Sequence, residues 1–90
     1  MLPLSAKNTQ GIVHYRRGEF DQALEALKEF RDLKFEEPSN WLFLAMTHWQ
    51  LGDKVEARTW YSKAVEFLDR EDYTPTRLEK MFRKEADQLI

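Results

Sequence analysis

Between Asp21 and Lys34 the apolar positions Ala23, Leu24, Leu27, Phe30 and Leu33 recur every three or four residues, and Glu25, Lys28, Glu29 and Asp32 fall opposite them. That period belongs to an α-helix with one buried stripe. Near the C-terminus Leu78, Met81, Phe82 and Leu89 form a second stripe. Glu79, Lys80, Arg83, Lys84 and Asp87 are expected to face water there, with Glu79 one turn before Arg83 and placed to pair with it. The stretch from Trp41 to Trp49 is different. Trp41, Leu44, Ala45 and His48 form one face, Leu42, Met46 and Trp49 form another, and Phe43 points between them. A helix apolar nearly all round is buried on several sides.

The boundaries come from turn chemistry. Arg16 and Arg17 followed by Gly18 read as a helix stop, and Gly52 ends the third helix in the same way. Asp53, with Glu56 three residues on, has capping-box spacing. Pro38-Ser39 opens the third helix, with Ser39 expected to accept from an orphan backbone N–H. Thr74-Pro75 opens the last, a cap followed by proline at the first helical position. The expected helices are 5–17, 21–35, 39–51, 54–70 and 75–89, and the short links make neighbours antiparallel. The fold class is all-α.

The chain also repeats. With Gly18 set over Gly52, Gly11 falls on Ala45, His14 on His48, Tyr15 on Trp49, Ala23 on Ala57, Leu27 on Tyr61 and Phe30 on Ala64. The offset is about 34 residues, a period of helical-hairpin repeats. Trp41, Leu44, Ala45 and His48 resemble the W-x-x-L-G-x-x-Y of the tetratricopeptide repeat, with Ala for Gly and His for Tyr. Leu51-Gly52-Asp53 resembles its turn, and Ala57, Tyr61 and Ala64 its A-x-x-x-F-x-x-A. The first repeat departs further, with Lys7, Gln10, Phe30 and Phe35 at signature positions, and Asp69 stands where the second would have Pro. The resemblance implies antiparallel hairpins stacked as a short superhelix. Residues 1–90 form a single domain: repeat one at about 4–37, repeat two at about 38–71, and a capping helix at about 75–89. A stacked array leaves an apolar side open at its end, which that last helix would cover.

Composition narrows the function. Ninety residues suit one domain. With 42% hydrophobic and 33% charged residues the chain reads as folded and soluble, not disordered. The absence of cysteine excludes disulfides, thiolate zinc sites and cysteine nucleophiles. A formal net charge of −2 argues against nucleic acid. Arg77, Lys80, Arg83 and Lys84 are interleaved with Glu79, Glu85 and Asp87, as on a solvated helix face. No apolar run approaches the ~20 residues of a membrane span, and residues 1–7 lack the apolar run of a secretory signal. With no cysteine, these features set the expectation of a cytoplasmic protein that does not bind membranes.

Candidate chemistry is sparse. His14 and His48 occupy equivalent positions, but each is followed one turn on by glycine rather than a second ligand, so no metal is expected. Glycines 11, 18 and 52 are isolated, which leaves no phosphate-cradling loop, and no G-x-S-x-G elbow is present. No cofactor, metal or catalytic residue is assigned, and the chain is not expected to be an enzyme. What the resemblance implies instead is a scaffold that holds a protein or peptide in a concave groove, as part of a larger protein. The groove positions are Asn8, Ile12, Tyr15 and Arg16 from the first helix with Leu42, Met46, Trp49 and Gln50 from the third. An aromatic, Met and Arg surface suits an interface core. The Lys and Asn of the family's carboxylate clamp are replaced by Asn8, Ile12 and Phe43, so an apolar or mixed ligand is expected. The alternative is an oligomerisation module, with the groove or Met1-Leu2-Pro3-Leu4 packed on another copy or a neighbouring domain.

Overall fold

Two glycines set the hairpins. In the computed structural model, which describes residues 5–34 and 36–90, Gly18 has φ +77° and Gly52 φ +90°. Each follows a helix: α1 is Ser5–Arg16 and α3 is Pro38–Gln50. The turns are built alike. The Glu19 N–H donates to His14 C=O and the Gly18 N–H to Tyr15 C=O, while the Asp53 N–H donates to His48 C=O and the Gly52 N–H to Trp49 C=O. Nested bonds of this kind close a helix end only if the residue after the cap is left-handed, which glycine adopts without strain. The chain then reverses into α2, Phe20–Arg31, and α4, Lys54–Leu68. Asp53 caps α4 by accepting from the Glu56 N–H at 3.2 Å.

The described residues form five helices, and α3 stands in the middle, packed against α1, α2, α4 and α5 (Arg77–Leu89). All its residues from Pro38 to His48 are buried, as its all-round apolar pattern requires. Leu42, Phe43, Leu44, Ala45 and Met46 have no exposed surface at all. At about 1.5–3 kcal/mol for each large apolar side chain fully buried, this helix is the main source of core stabilisation. The α1/α2 contact depends on Gly11, where an added Cβ would lie 2.5 Å from Leu27 Cγ and Cδ2. Ala23, Leu27 and Phe30 of α2 face inward as expected. A buried polar tether joins the first three helices. Asn8 Nδ2 donates to Ser39 Oγ at 3.1 Å, and Asn40 Nδ2 donates to Asn8 Oδ1 at 3.1 Å and to Leu27 C=O at 3.0 Å.

Several boundaries differ from those expected. The second helix stops at Arg31, and Leu33 is 43% exposed instead of joining the buried stripe. The Leu33 N–H turns to Phe30 C=O and the Lys34 N–H to Arg31 C=O, tightening the end, and Lys34 adopts φ 61°. Phe35, the expected last residue of that helix, and Met1-Leu2-Pro3-Leu4 lie outside the described residues. The cap of α3 is Glu37, whose carboxylate accepts from the Ser39 N–H and hydroxyl. Pro38 takes the first helical position, so Ser39 is already inside the helix. The last helix begins two residues late. Thr76, not Thr74, is the cap, because Glu79 lies three residues beyond it and completes a reciprocal capping box.

That box reorients α5. Glu79 was expected in water beside Arg83, but it is only 7% exposed and accepts from the Tyr73 hydroxyl at 2.8 and 2.7 Å and from the Thr76 N–H at 2.8 Å. These hydrogen bonds to the carboxylate push the Tyr73 hydroxyl up to about 12. Arg83 pairs instead with Asp69, at the end of α4, at 2.6 Å. The face turned to α3 is therefore Glu79, Phe82, Ala86 and Leu89. Leu78 and Met81, expected on the core stripe, are 59% and 55% exposed. The radius of gyration is 12.2 Å, about that of a compact globular chain of this length.

Candidate partner-binding face

A line of aromatic rings crosses the helices in the order α1, α3, α5. Tyr15 meets Phe43 edge-on with centroids 5.5 Å apart, and Phe43 meets Phe82 edge-on at 4.9 Å. Phe20, at the start of α2, packs on the other side of Tyr15 at 5.4 Å. Edge-to-face contacts at these separations add to the stabilisation from burial alone. The Arg16 guanidinium lies 5.4 Å from the Phe43 centroid and hydrogen-bonds the Glu85 carboxylate of α5. A charged pair from the first and last helices thus closes over a wholly buried ring of the middle one.

Of the residues expected to form a groove, the structure brings Tyr15, Arg16 and Gln50 together. Gln50 Nε2 donates to the Tyr15 hydroxyl at 3.4 Å. Burial is the main cause that raises the Tyr15 pKa, with the Gln50 hydrogen bond opposing it. Ile12 is half-buried on α1, against the core. Trp49 is half-buried too, but it meets α4: the Lys54 ammonium lies 3.5 Å and the Arg58 guanidinium 5.5 Å from its ring centroid. Asn8, Leu42 and Met46 have 8%, 0% and 0% exposure, so they support the face from beneath and present no surface. The reason is the central place of α3, which has helices on every side. Phe82 and Glu85 were not on the expected face, and Phe43 entered it only as a position of the absent clamp. The one hint of the first two in sequence is their i, i+3 spacing.

The two histidines do not meet. His14 Nδ1 lies 2.9 Å from Glu19 Oε1, and His48 Nδ1 lies 4.0 Å from Asp53 Oδ2, so each imidazole faces the acid that opens the following helix. Burial lowers the His48 pKa, and the nearby Asp53 partly opposes that. Among the described residues no three His, Asp or Glu side chains gather as a metal site. Among the same residues no helix is long and apolar enough to cross a membrane. A separate cavity of about 370 Å³ lies at the far end of α4, floored by Trp41 and Phe67 and rimmed by Lys63, Arg70, Glu36 and Glu66. Its charges balance, and Lys63 already rests on the Trp41 and Trp60 rings at 4.6 and 5.3 Å.

A family model described as tetratricopeptide repeat matches residues 8–72, from the Asn8 tether into the link before α5. No significant match emerged among curated proteins or solved structures.

Proposed function

This chain belongs to the tetratricopeptide repeat family, whose repeats generally mediate protein–protein interaction or scaffolding, and from that premise we propose that it holds a protein or peptide on the face shared by α1, α3 and α5. In this reading residues 1–90 act as one domain, with repeats at about 4–37 and 38–71 and α5 as the cap. The contact residues are Tyr15, Arg16 and Gln50, with Ile12 and Trp49 at the margins and Asn8, Leu42 and Met46 holding α1 and α3 in register below.

The observation that carries the proposal is the Arg16–Glu85 pair over Phe43. Both side chains are partly exposed, at 48% and 32%, so their pairing is screened and contributes little to stability. A partner carboxylate can therefore replace Glu85 on Arg16 at small cost. Displacing Glu85 bares the aromatic line, against which an apolar partner side chain can pack. The ligand class is a segment carrying both an acidic and an apolar or aromatic group.

The test uses a partner recovered with the wild-type chain from native cell extract, with affinity then measured by calorimetry. Arg16→Ala combined with Tyr15→Ala is expected to weaken binding at least tenfold, about 1.4 kcal/mol. Glu85→Gln, which removes the competing charge, is expected to keep or raise the affinity. Unchanged binding by the folded Tyr15/Arg16 variant would remove the face from consideration.

A further inference from the structure

The open end of the second hairpin holds a cavity that the peptide face does not use. It lies between the last turns of α4 and the first of α3, with a volume of about 370 Å³. Small-ligand sites usually run from about 300 to 1,000 Å³. Two rings form its inner corner. Trp41, 5% exposed, and the half-buried Phe67 meet edge-on at 5.5 Å with their planes at 81°. Each ring already carries a cation. The Lys63 ammonium lies 4.6 Å from the Trp41 centroid and the Arg70 guanidinium 5.1 Å from the Phe67 centroid. Both fall within the roughly 6 Å over which the negative face of a ring attracts positive charge.

The charges around this corner are not equally committed. Arg70 is held by Asp72 at 3.2 Å, and Arg31, which lies over Trp60, is held by Asp32 at 3.1 Å. Glu37, next to the rim, is spent on the Ser39 N–H and hydroxyl. That leaves Glu36, Glu66 and Lys63, all exposed, and among the described residues none of the three forms an ion pair. Lys63 rests on its rings without a carboxylate, and two carboxylates stand at the mouth without a cation. The uncommitted charge of the cavity is therefore negative by one.

We propose that this cavity binds a methylated ammonium group, the head of either a free solute or a methylated lysine side chain. The group replaces Lys63 on Trp41 and takes Glu36 and Glu66 as counter-charges, while the exposed Lys63 side chain swings into water. Methylation sets the class of ligand. A bare ammonium is strongly hydrated and gains nothing over Lys63, which is tethered beside the ring. A methylated one holds its water less tightly and offers methyl groups to both rings of the corner, as in an aromatic cage. An anion would meet Glu36 and Glu66 and find only Lys63 uncommitted. The site is independent of the peptide face, because it includes none of Tyr15, Arg16 and Gln50.

Titration calorimetry of the full chain tests the proposal, with choline as one probe and a short capped peptide carrying trimethyllysine as the other. At least one is expected to bind saturably at millimolar concentration, and the tighter of the two identifies the source. The uncharged isostere of choline, with a tert-butyl group in place of trimethylammonium, is expected to bind about tenfold more weakly, as is the peptide with unmodified lysine. Lys63→Ala removes the internal competitor and is expected to tighten binding about threefold or more. Glu36→Gln with Glu66→Gln is expected to weaken it by a similar factor. All three positions are exposed, and melting curves check that these variants fold. The proposal is overturned if neither probe saturates, or if the uncharged isostere or the unmodified peptide binds as tightly. Unchanged affinity in either the Lys63 or the Glu36/Glu66 variant also overturns it.

Discussion

Gly11 and Gly52 are the same residue under different constraints. Gly52 is open on every side, and what it supplies is φ +90°. Gly52→Ala is expected to cost about 1–2 kcal/mol, the price of a left-handed L-residue, and Gly52→Asn less, because Asn tolerates that region. Gly11 lies inside α1, and its side-chain hydrogen points at Leu27. Gly11→Ala is expected to cost about 1–3 kcal/mol by overpacking, and Asn there should be worse than Ala. Urea unfolding of the four variants checks both orders. The turn role of Gly52 was legible in sequence from its basic, helix-ending context. The packing role of Gly11 was not, because nothing local shows which side chain of α2 will arrive there. His48 supports a further expectation. Burial holds its pKa below the ordinary value of about 6.5, so both folded and unfolded states are neutral above that pH. As pH falls below about 6.5 the unfolded chain takes the proton first, and stability declines until the folded pKa is passed. The urea midpoint should therefore drop between pH 7.5 and 5.5, and His48→Gln should flatten that drop.

At the scale of the element, the last helix shows where local pattern stops being enough. Two threonines two residues apart could each open it, and both flank Pro75. Thr76 is the cap because only from there does Glu79 fall three residues on and reach back. Thr76→Ala is expected to cost about 1 kcal/mol, typical of a lost cap, and Thr74→Ala to leave the melt unchanged; the reverse order would refute the assignment. Removing Pro75 to Ile90 strips Phe82, Ala86 and Leu89 from α3. At roughly 1.5–3 kcal/mol per large buried side chain, the truncated chain should lose several kcal/mol and melt far earlier by circular dichroism. A truncated chain that melts like the full one would end the view of α5 as a cap. Helix existence and period were readable throughout. The rotation of α5 was not, since its apolar residues cover a broad arc and the buried carboxylate decides which part of that arc meets α3.

For the whole molecule, the central position of α3 has a consequence for cooperativity. Every other helix packs on it, so no hairpin can leave without uncovering core shared with the rest. Trp41, Trp49 and Trp60 all lie in the second hairpin. Their fluorescence reports that hairpin, whereas far-ultraviolet dichroism reports all five helices. The two unfolding curves are expected to coincide, as two-state behaviour requires; a fluorescence transition displaced from the dichroic one would show the hairpins unfolding separately. The same centrality explains the fate of the expected groove. Leu42 and Met46 are groove positions by resemblance to the family, but α3 is packed against all four other helices and both side chains are wholly buried.

By itself the sequence determined the five helices, the glycine stops, the 34-residue register and the inward stripe of α2, because each depends on residues within a few turns of one another. Only the tertiary structure decided that Arg16 reaches Glu85 across Phe43, that Glu79 turns inward, that Trp49 faces α4, and that Leu78 and Met81 stay in water. Those outcomes depend on the rotation and approach of helices far apart in the chain. Small differences in packing and buried hydrogen bonding set that geometry, and no local period records them.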